Sequence, residues 1–116
     1  MQYRKLGNTG LEVSEIGFGG EWMDKSLEET RAVVDACEAA GINILDCWMA
    51  DPTRRSNLGD ALDGRRDKWI IQGHIGSTWQ DDQYVRTRDM DQVKPAFEDL
   101  LERFHTDYMD IGMIHF

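Results

Sequence analysis

The stretch Ser26-Leu-Glu-Glu-Thr-Arg-Ala-Val-Val-Asp-Ala-Cys-Glu-Ala-Ala-Gly-Ile-Asn-Ile-Leu-Asp-Cys-Trp48 decides the fold. Ser26 and Glu29 form a capping box, in which each side chain satisfies an unpaired N–H of the other's backbone. Val33, Val34, Cys37 and Ala40 recur at helical spacing and predict a buried stripe. Gly41 ends the helix in the left-handed position that glycine adopts without strain. A strand, Ile42 to Trp48, starts immediately afterwards. A helix running so directly into a strand is the return arm of a β-α-β unit.

Working outward, the same alternation continues. Upstream, Tyr3–Leu6 and Leu11–Val13 predict a hairpin around Gly7-Asn-Thr-Gly10, and Glu15–Gly20 predicts a short strand with a glycine-rich end. Downstream, Asp51–Arg55 reads as a polar loop, Ser56–Leu62 as a short helix and Arg65–Lys68 as a charged turn. Trp69–Ile75 reads as a strand, and Gly76–Asp89 as a longer polar loop holding Trp79 and Tyr84. Asp91–Phe104 predicts the clearest helix, with Val93, Phe97, Leu100, Leu101 and Phe104 on one face and Pro95 in its first turn. Tyr108–Phe116 predicts a last strand. Strands alternating with helices imply right-handed crossovers and a parallel α/β sheet. No glycine-rich phosphate-binding motif follows any strand, which argues against a dinucleotide-binding or P-loop fold. With no linker and no repeat, residues 1–116 read as one domain.

Charge narrows the partners. A net charge of −9 repels nucleic acid and anionic membrane, so neither is an expected partner. No run approaches the roughly 18 apolar residues of a membrane span, and the opening Met1–Gly10 lacks the apolar core of a secretory leader. Cys37 and Cys47 have no metal-like spacing; they suit a reducing cytoplasm, with Cys37 in the helix core.

In parallel α/β folds chemistry gathers at the C-terminal ends of the strands. Here those ends carry Gly19-Gly20-Glu21-Trp22, Asp46, His74 and His115. A carboxylate and two imidazoles on one rim suit proton transfer. Single strand-end histidines also serve as hydrogen-bonded structural residues. Asp46, His74 and His115 could together bind a divalent ion, but nothing in the spacing favours a metal.

The order of segments resembles the aldo-keto reductases. The matching pieces are Tyr3–Gly20, Ala40–Asp46, Leu58–Leu62 with Gly64–Lys68, and Leu100–Asp110 through Ile114-His115. The resemblance is nearest to the bacterial branch whose full-length members carry an iron–sulfur segment near the C-terminus, a segment whose cysteines are absent here. It implies the N-terminal half of a (β/α)8 TIM barrel, strands one to four, with the hairpin capping its bottom. It also implies NADP(H)-dependent redox of a small carbonyl or alcohol substrate, through a tyrosine acid with an aspartate, a lysine and a histidine around it. On this pattern Asp46 is the aspartate, His115 the histidine, His74 stands at the lysine and Asp51, followed by Pro52, stands at the tyrosine. A carboxyl group there is ionised at neutral pH and donates poorly. Tyr84 is a candidate replacement acid. Gly20, Glu21, Trp22 and Asp46 are the candidate contacts to the nicotinamide end, while the loops that hold the phosphates in this family belong to the other half. A half barrel leaves two sheet edges open, so the expectation is a homo-oligomer or pairing with the remainder of the barrel. The alternative is a catalytically silent half barrel that binds a ligand or partner.

Overall fold

The computed structural model describes residues 1–114. His115 and Phe116, and with them the expected end of the last strand, lie outside the described residues.

Strands β1 (Tyr3–Lys5) and β2 (Glu12–Ser14) pair antiparallel as the expected hairpin. Polar side chains fix it to the body. The Tyr3 hydroxyl donates to the Gly41 carbonyl at 2.7 Å, and the Asn43 side chain donates to the Glu12 carbonyl at 2.9 Å while accepting from the Ser14 N–H at 2.8 Å. The hairpin therefore lies at the N-terminal end of the main sheet, where Asn43 leads into β4 (Ile44–Cys47).

The main sheet is parallel, with strand order β3 (Phe18–Gly19), β4, β5 (Ile70–Ile75) and β8 (Ile111–Ile114). β3 is shorter than its sequence suggested. Helices α1 (Leu27–Ala39), α2 (Pro52–Ala61) and α3 (Met90–Arg103) cover one face of the sheet. Between them lie Val34, Leu45, Cys47, Leu58, Leu62, Trp69, Ile71, Leu100 and Phe104, all buried. This is the period-two rule at work: Leu45 and Cys47 face the helices, and Asp46 faces the other way.

The helix ends follow local chemistry. Both hydrogen bonds of the Ser26–Glu29 capping box are present, and Gly41 takes φ +82°. α2 begins earlier than expected. Asp51 is its N-cap, accepting from the Arg54 N–H at 3.1 Å, and Pro52 sits in its first turn, where its lack of an N–H is harmless. The expected polar loop over Asp51–Arg55 is thus the start of the helix. Asp89 caps α3, and Pro95 lies inside that helix, past the first turn in which the sequence placed it.

The segment Gly76–Asp89 departs from expectation. It holds a second hairpin, β6 (Ser77–Gln80) and β7 (Gln83–Arg86), rather than a loop. Asp81 and Asp82 both adopt positive φ, +50° and +58°, as a two-residue primed turn demands. Aspartate tolerates that region better than most residues, which is why the turn forms without glycine.

Neither β3 nor β8 has a second strand partner among the described residues. Ile16, Met113 and Ile114 are exposed near those edges. The structure is thus a parallel half barrel, with one face covered by helices and the other open.

The close approach of α2 to the end of α3 makes a test. An added Cβ on buried Gly59 of α2 would lie 1.9 Å from the Arg103 carbonyl oxygen at the end of α3. Gly59→Ala is expected to cost about 3 kcal/mol in urea unfolding. Gly19→Ala, whose Cβ meets nothing within 4 Å, should stay within about 0.5 kcal/mol of wild type. Equal costs at the two positions would contradict this packing.

Candidate functional site

The site is built at the C-terminal ends of β4 and β5. Their register sets Asp46 beside Gln72, with Gly19 of β3 on the other side of Asp46. His74 lies two residues beyond Gln72 and so shares its face of the sheet. The side chains meet at a single atom. Asp46 Oδ1 accepts from Gln72 Nε2 at 2.6 Å and lies 2.7 Å from His74 Nε2. A carboxylate can only accept, so Nε2 of the neutral ring carries the proton. His74 is well enclosed, its side chain 9% exposed, whereas Asp46 is 39% exposed and meets solvent.

Sequence reasoning named Asp46 and His74 but missed Gln72. The available signal was parity: on a strand, the residue two before His74 points the same way. His115 lies outside the described residues.

The first loop of the sheet runs alongside. Gly20 is buried where β3 turns across β4; a Cβ there would approach Leu58 Cδ1 to 2.6 Å and the Asp46 carbonyl to 3.2 Å. Glu21 is half-buried, and Trp22 is 70% exposed. The candidate cofactor residues Gly20, Glu21 and Trp22 therefore form a continuous strip beside Asp46.

Asp51 has other work. It is buried, caps α2, and faces the Arg54 guanidinium at 3.0 Å as an ion pair rather than a directed hydrogen bond. Those partners lie within its own helix. Tyr84 is not an exposed loop aromatic. It is half-buried on β7 and packs on Trp48, with ring centroids 5.0 Å apart. Ser77 Oγ donates to the Trp48 carbonyl at 2.7 Å, so the second hairpin is fastened just beyond Asp46. Cys47, adjacent to Asp46 but facing the core, has its thiol pushed up to about 12 by burial and is not a nucleophile at neutral pH.

A cavity of about 590 Å³ lies between the first loop and α1, lined by Trp22, Met23, Thr30, Ala32 and Val33. It does not include Asp46 or His74, and its apolar wall belongs to the uncovered flank of α1. Among the described residues no group of three or more His, Cys, Asp or Glu could hold a metal ion. No helix among them is long and apolar enough to cross a membrane.

A parallel β/α half barrel with a hairpin at its base defines the class of the fold, the (β/α)8 barrels. No family model matches the chain. In sequence it is 31% identical over 119 residues to YqkF, an uncharacterized oxidoreductase of Bacillus subtilis, across 99% of this chain and 39% of that protein. In structure it matches the holo form of an aldo-keto reductase from Bacillus halodurans with a TM-score of 0.84 and 31% identity, over 99% of this chain and 40% of that one. An aldo-keto reductase from Klebsiella pneumoniae in complex with NADPH shares the fold, with a TM-score of 0.70 and 23% identity over 90% of this chain and 36% of that one. The chain belongs to the aldo-keto reductase family and corresponds to the N-terminal half of its larger members. It spans about two fifths of the length of the relatives it matches.

The hydrogen bonding at Asp46 predicts a spectroscopic signature. Imidazole ¹⁵N shifts should show neutral His74 as the Nε2–H tautomer. Asp46→Ala should redistribute the two tautomers, and an Nδ1–H ring in the wild type would refute the assignment.

Proposed function

We propose that this chain forms the catalytic-rim half of an NADP(H)-dependent oxidoreductase acting on small carbonyl or alcohol substrates. In this reading the Asp46–His74 pair carries the proton transfer that the family gives to tyrosine and lysine. The observation behind it is the 2.7 Å contact between Asp46 Oδ1 and His74 Nε2, on adjacent strand ends beside the Gly20–Trp22 loop. The family membership and the NADPH complex of the Klebsiella relative support the choice of cofactor.

Gly20, Glu21, Trp22 and Asp46 would face the nicotinamide end of the cofactor, which when bound would supply a hydride to the carbonyl carbon. The chain's own residues meet the consequence, negative charge growing on the carbonyl oxygen. Asp46 holds the proton on His74 Nε2 and stabilises the ring when it becomes cationic, and Gln72 holds the carboxylate in place. The ring would take a second proton from solvent at Nδ1, give that proton to the oxygen, and return to the neutral Nε2–H form. His115, which lies outside the described residues, matches the family's histidine by sequence position alone. Asp51 is not assigned proton transfer, because its carboxylate is committed to the α2 cap and Arg54.

Among the described residues the outer edges of β3 and β8 have no further strand partner, and in this reading the remainder of the barrel or a second copy would close the sheet. For the chain by itself, light scattering should report a dimer or larger assembly; a compact monomer stable at high concentration would overturn self-closure. Two free thiols, Cys37 and Cys47, suit a reducing compartment, and we place the protein in the cytoplasm.

Turnover is the decisive test. In a protein carrying all eight strands, NADPH fluorescence should report binding and a carbonyl screen should find a substrate. His74→Gln and Asp46→Asn should each lower kcat by about 100-fold or more. A His74→Gln enzyme with wild-type kcat and pH profile would refute the role of the imidazole. Failure of the eight-stranded protein to bind NADPH would instead favour a silent, ligand-binding barrel.

A further inference from the structure

The loop from Gly20 to Lys25 is held from one side by one face of α2. Arg54 Nε donates to the Glu21 carbonyl, and Arg54 Nη2 reaches the Asp24 carboxylate at 2.9 Å. One turn further along, Asn57 Nδ2 donates to the Met23 carbonyl at 2.9 Å and lies 3.4 Å from that of Lys25. Arg54 is fixed in turn by Asp51, whose side chain is 7% exposed and 3.0 Å from Nη1. One planar guanidinium thus joins the N-cap of α2 to the carbonyl just before Trp22 and to the acid that follows it. A guanidinium presents its donors in a rigid fork, so this geometry sets both the position and the direction of the loop.

α2 does not depend on this contact for its own place. Leu58, Ala61 and Leu62 lie in the core. Arg55 is 2% exposed, donating to the Ala96 carbonyl at 2.7 Å and to Asp99 at 2.9 Å. Gly59 packs directly on the backbone at Arg103. Removing the Arg54 side chain therefore loosens the loop, which Asn57 still holds at Met23, more than it loosens the helix.

We propose that Arg54 is a positioning residue for the Glu21–Trp22 strip, and that Asp51, at the family's tyrosine position, acts on the site through Arg54. The effect on cofactor binding rests on the reading of that strip as the nicotinamide contact; the effect on the loop does not. The Met23 N–H closes the turn by donating to the Gly20 carbonyl, so its exchange reports the loop directly.

The experiment compares wild type, Arg54→Ala, Arg54→Lys and Asp24→Asn. In the chain without cofactor, Met23 amide exchange should rise about 10-fold in Arg54→Ala while the core amides of β5 stay protected, with a lowered thermal midpoint because buried Asp51 loses its cation. In the eight-stranded protein, Arg54→Ala should raise the NADPH KM about 10-fold at nearly constant kcat, and Arg54→Lys should recover part of it. Unchanged Met23 exchange in Arg54→Ala overturns the proposal. If that variant loses protection everywhere, Asp24→Asn decides, because it cuts the strap from the loop side: faster exchange confined to the loop supports the proposal, and wild-type exchange overturns it. Absence of turnover in the wild-type eight-stranded protein would sink the functional reading while leaving the exchange result intact.

Discussion

The register of β4 governs this structure. It is a central strand, paired in parallel with β3 and β5, and its four residues alternate between two environments. Leu45 and Cys47 complete the core beneath the helices; Ile44 and Asp46 face the open side. A slip of one residue would put Asp46 into the core and expose Leu45, so core packing and site chemistry are specified by the same constraint. Register also brings Gly19 and Gln72 level with Asp46, and places the first loop and His74 within reach of one carboxylate.

Around that strand, polar pins hold elements that burial alone would leave loose. Asp110 accepts from the Ile71 N–H at 2.9 Å and pairs with Arg66 at 3.0 Å, tying the approach to β8 to the start of β5. Arg66 also donates to the Trp69 carbonyl at 2.8 Å and lies 4.1 Å over the Tyr108 ring. Trp69, buried at the base of the core, donates its indole N–H to Glu38 of α1 at 2.8 Å. In a chain of net charge −9, these arginines do double service: they anchor backbone carbonyls and relieve carboxylate repulsion. Such partly buried pairs contribute little as sums of attraction, yet truncating one partner strands the other. They therefore specify arrangement more than they supply stability.

The legible parts of the sequence were those where one local signal had one structural meaning. Ser26–Glu29 and Gly41 marked both ends of α1, and the apolar runs marked β4 and β5. Misreadings arose where a residue type had two meanings. Asp51-Pro52 is both a loop dipeptide and an N-cap followed by an N-terminal proline; the polar Thr53, Arg54 and Arg55 tilted the reading toward loop, although Arg55 is buried by its partners on α3. Asp81-Asp82 lacks the glycine that usually announces a hairpin, so β6 and β7 were hidden in a stretch that looked merely polar. Gln72 shares the strand parity of His74, but an uncharged amide has no chemical signature of its own until the register supplies its partner.

The departures from the family pattern make sense together, if the site carries out the proposed reaction. A lysine ammonium is ordinarily charged near neutral pH, and beside a phenol its use is to make that phenol a better acid. Where the phenol position holds a carboxylate committed to a helix cap, that charge would have no phenol to act on. An imidazole in its place can gain and lose a proton near neutral pH, and the neighbouring aspartate is already placed to orient it. The Gln72 amide occupies part of the capacity of the same oxygen, holding the carboxylate toward the ring instead of letting it turn to solvent. In the proposed reading the two substitutions would form a coupled change, in which the acid would move from the helix end to the strand end and the vacated position would anchor the first loop.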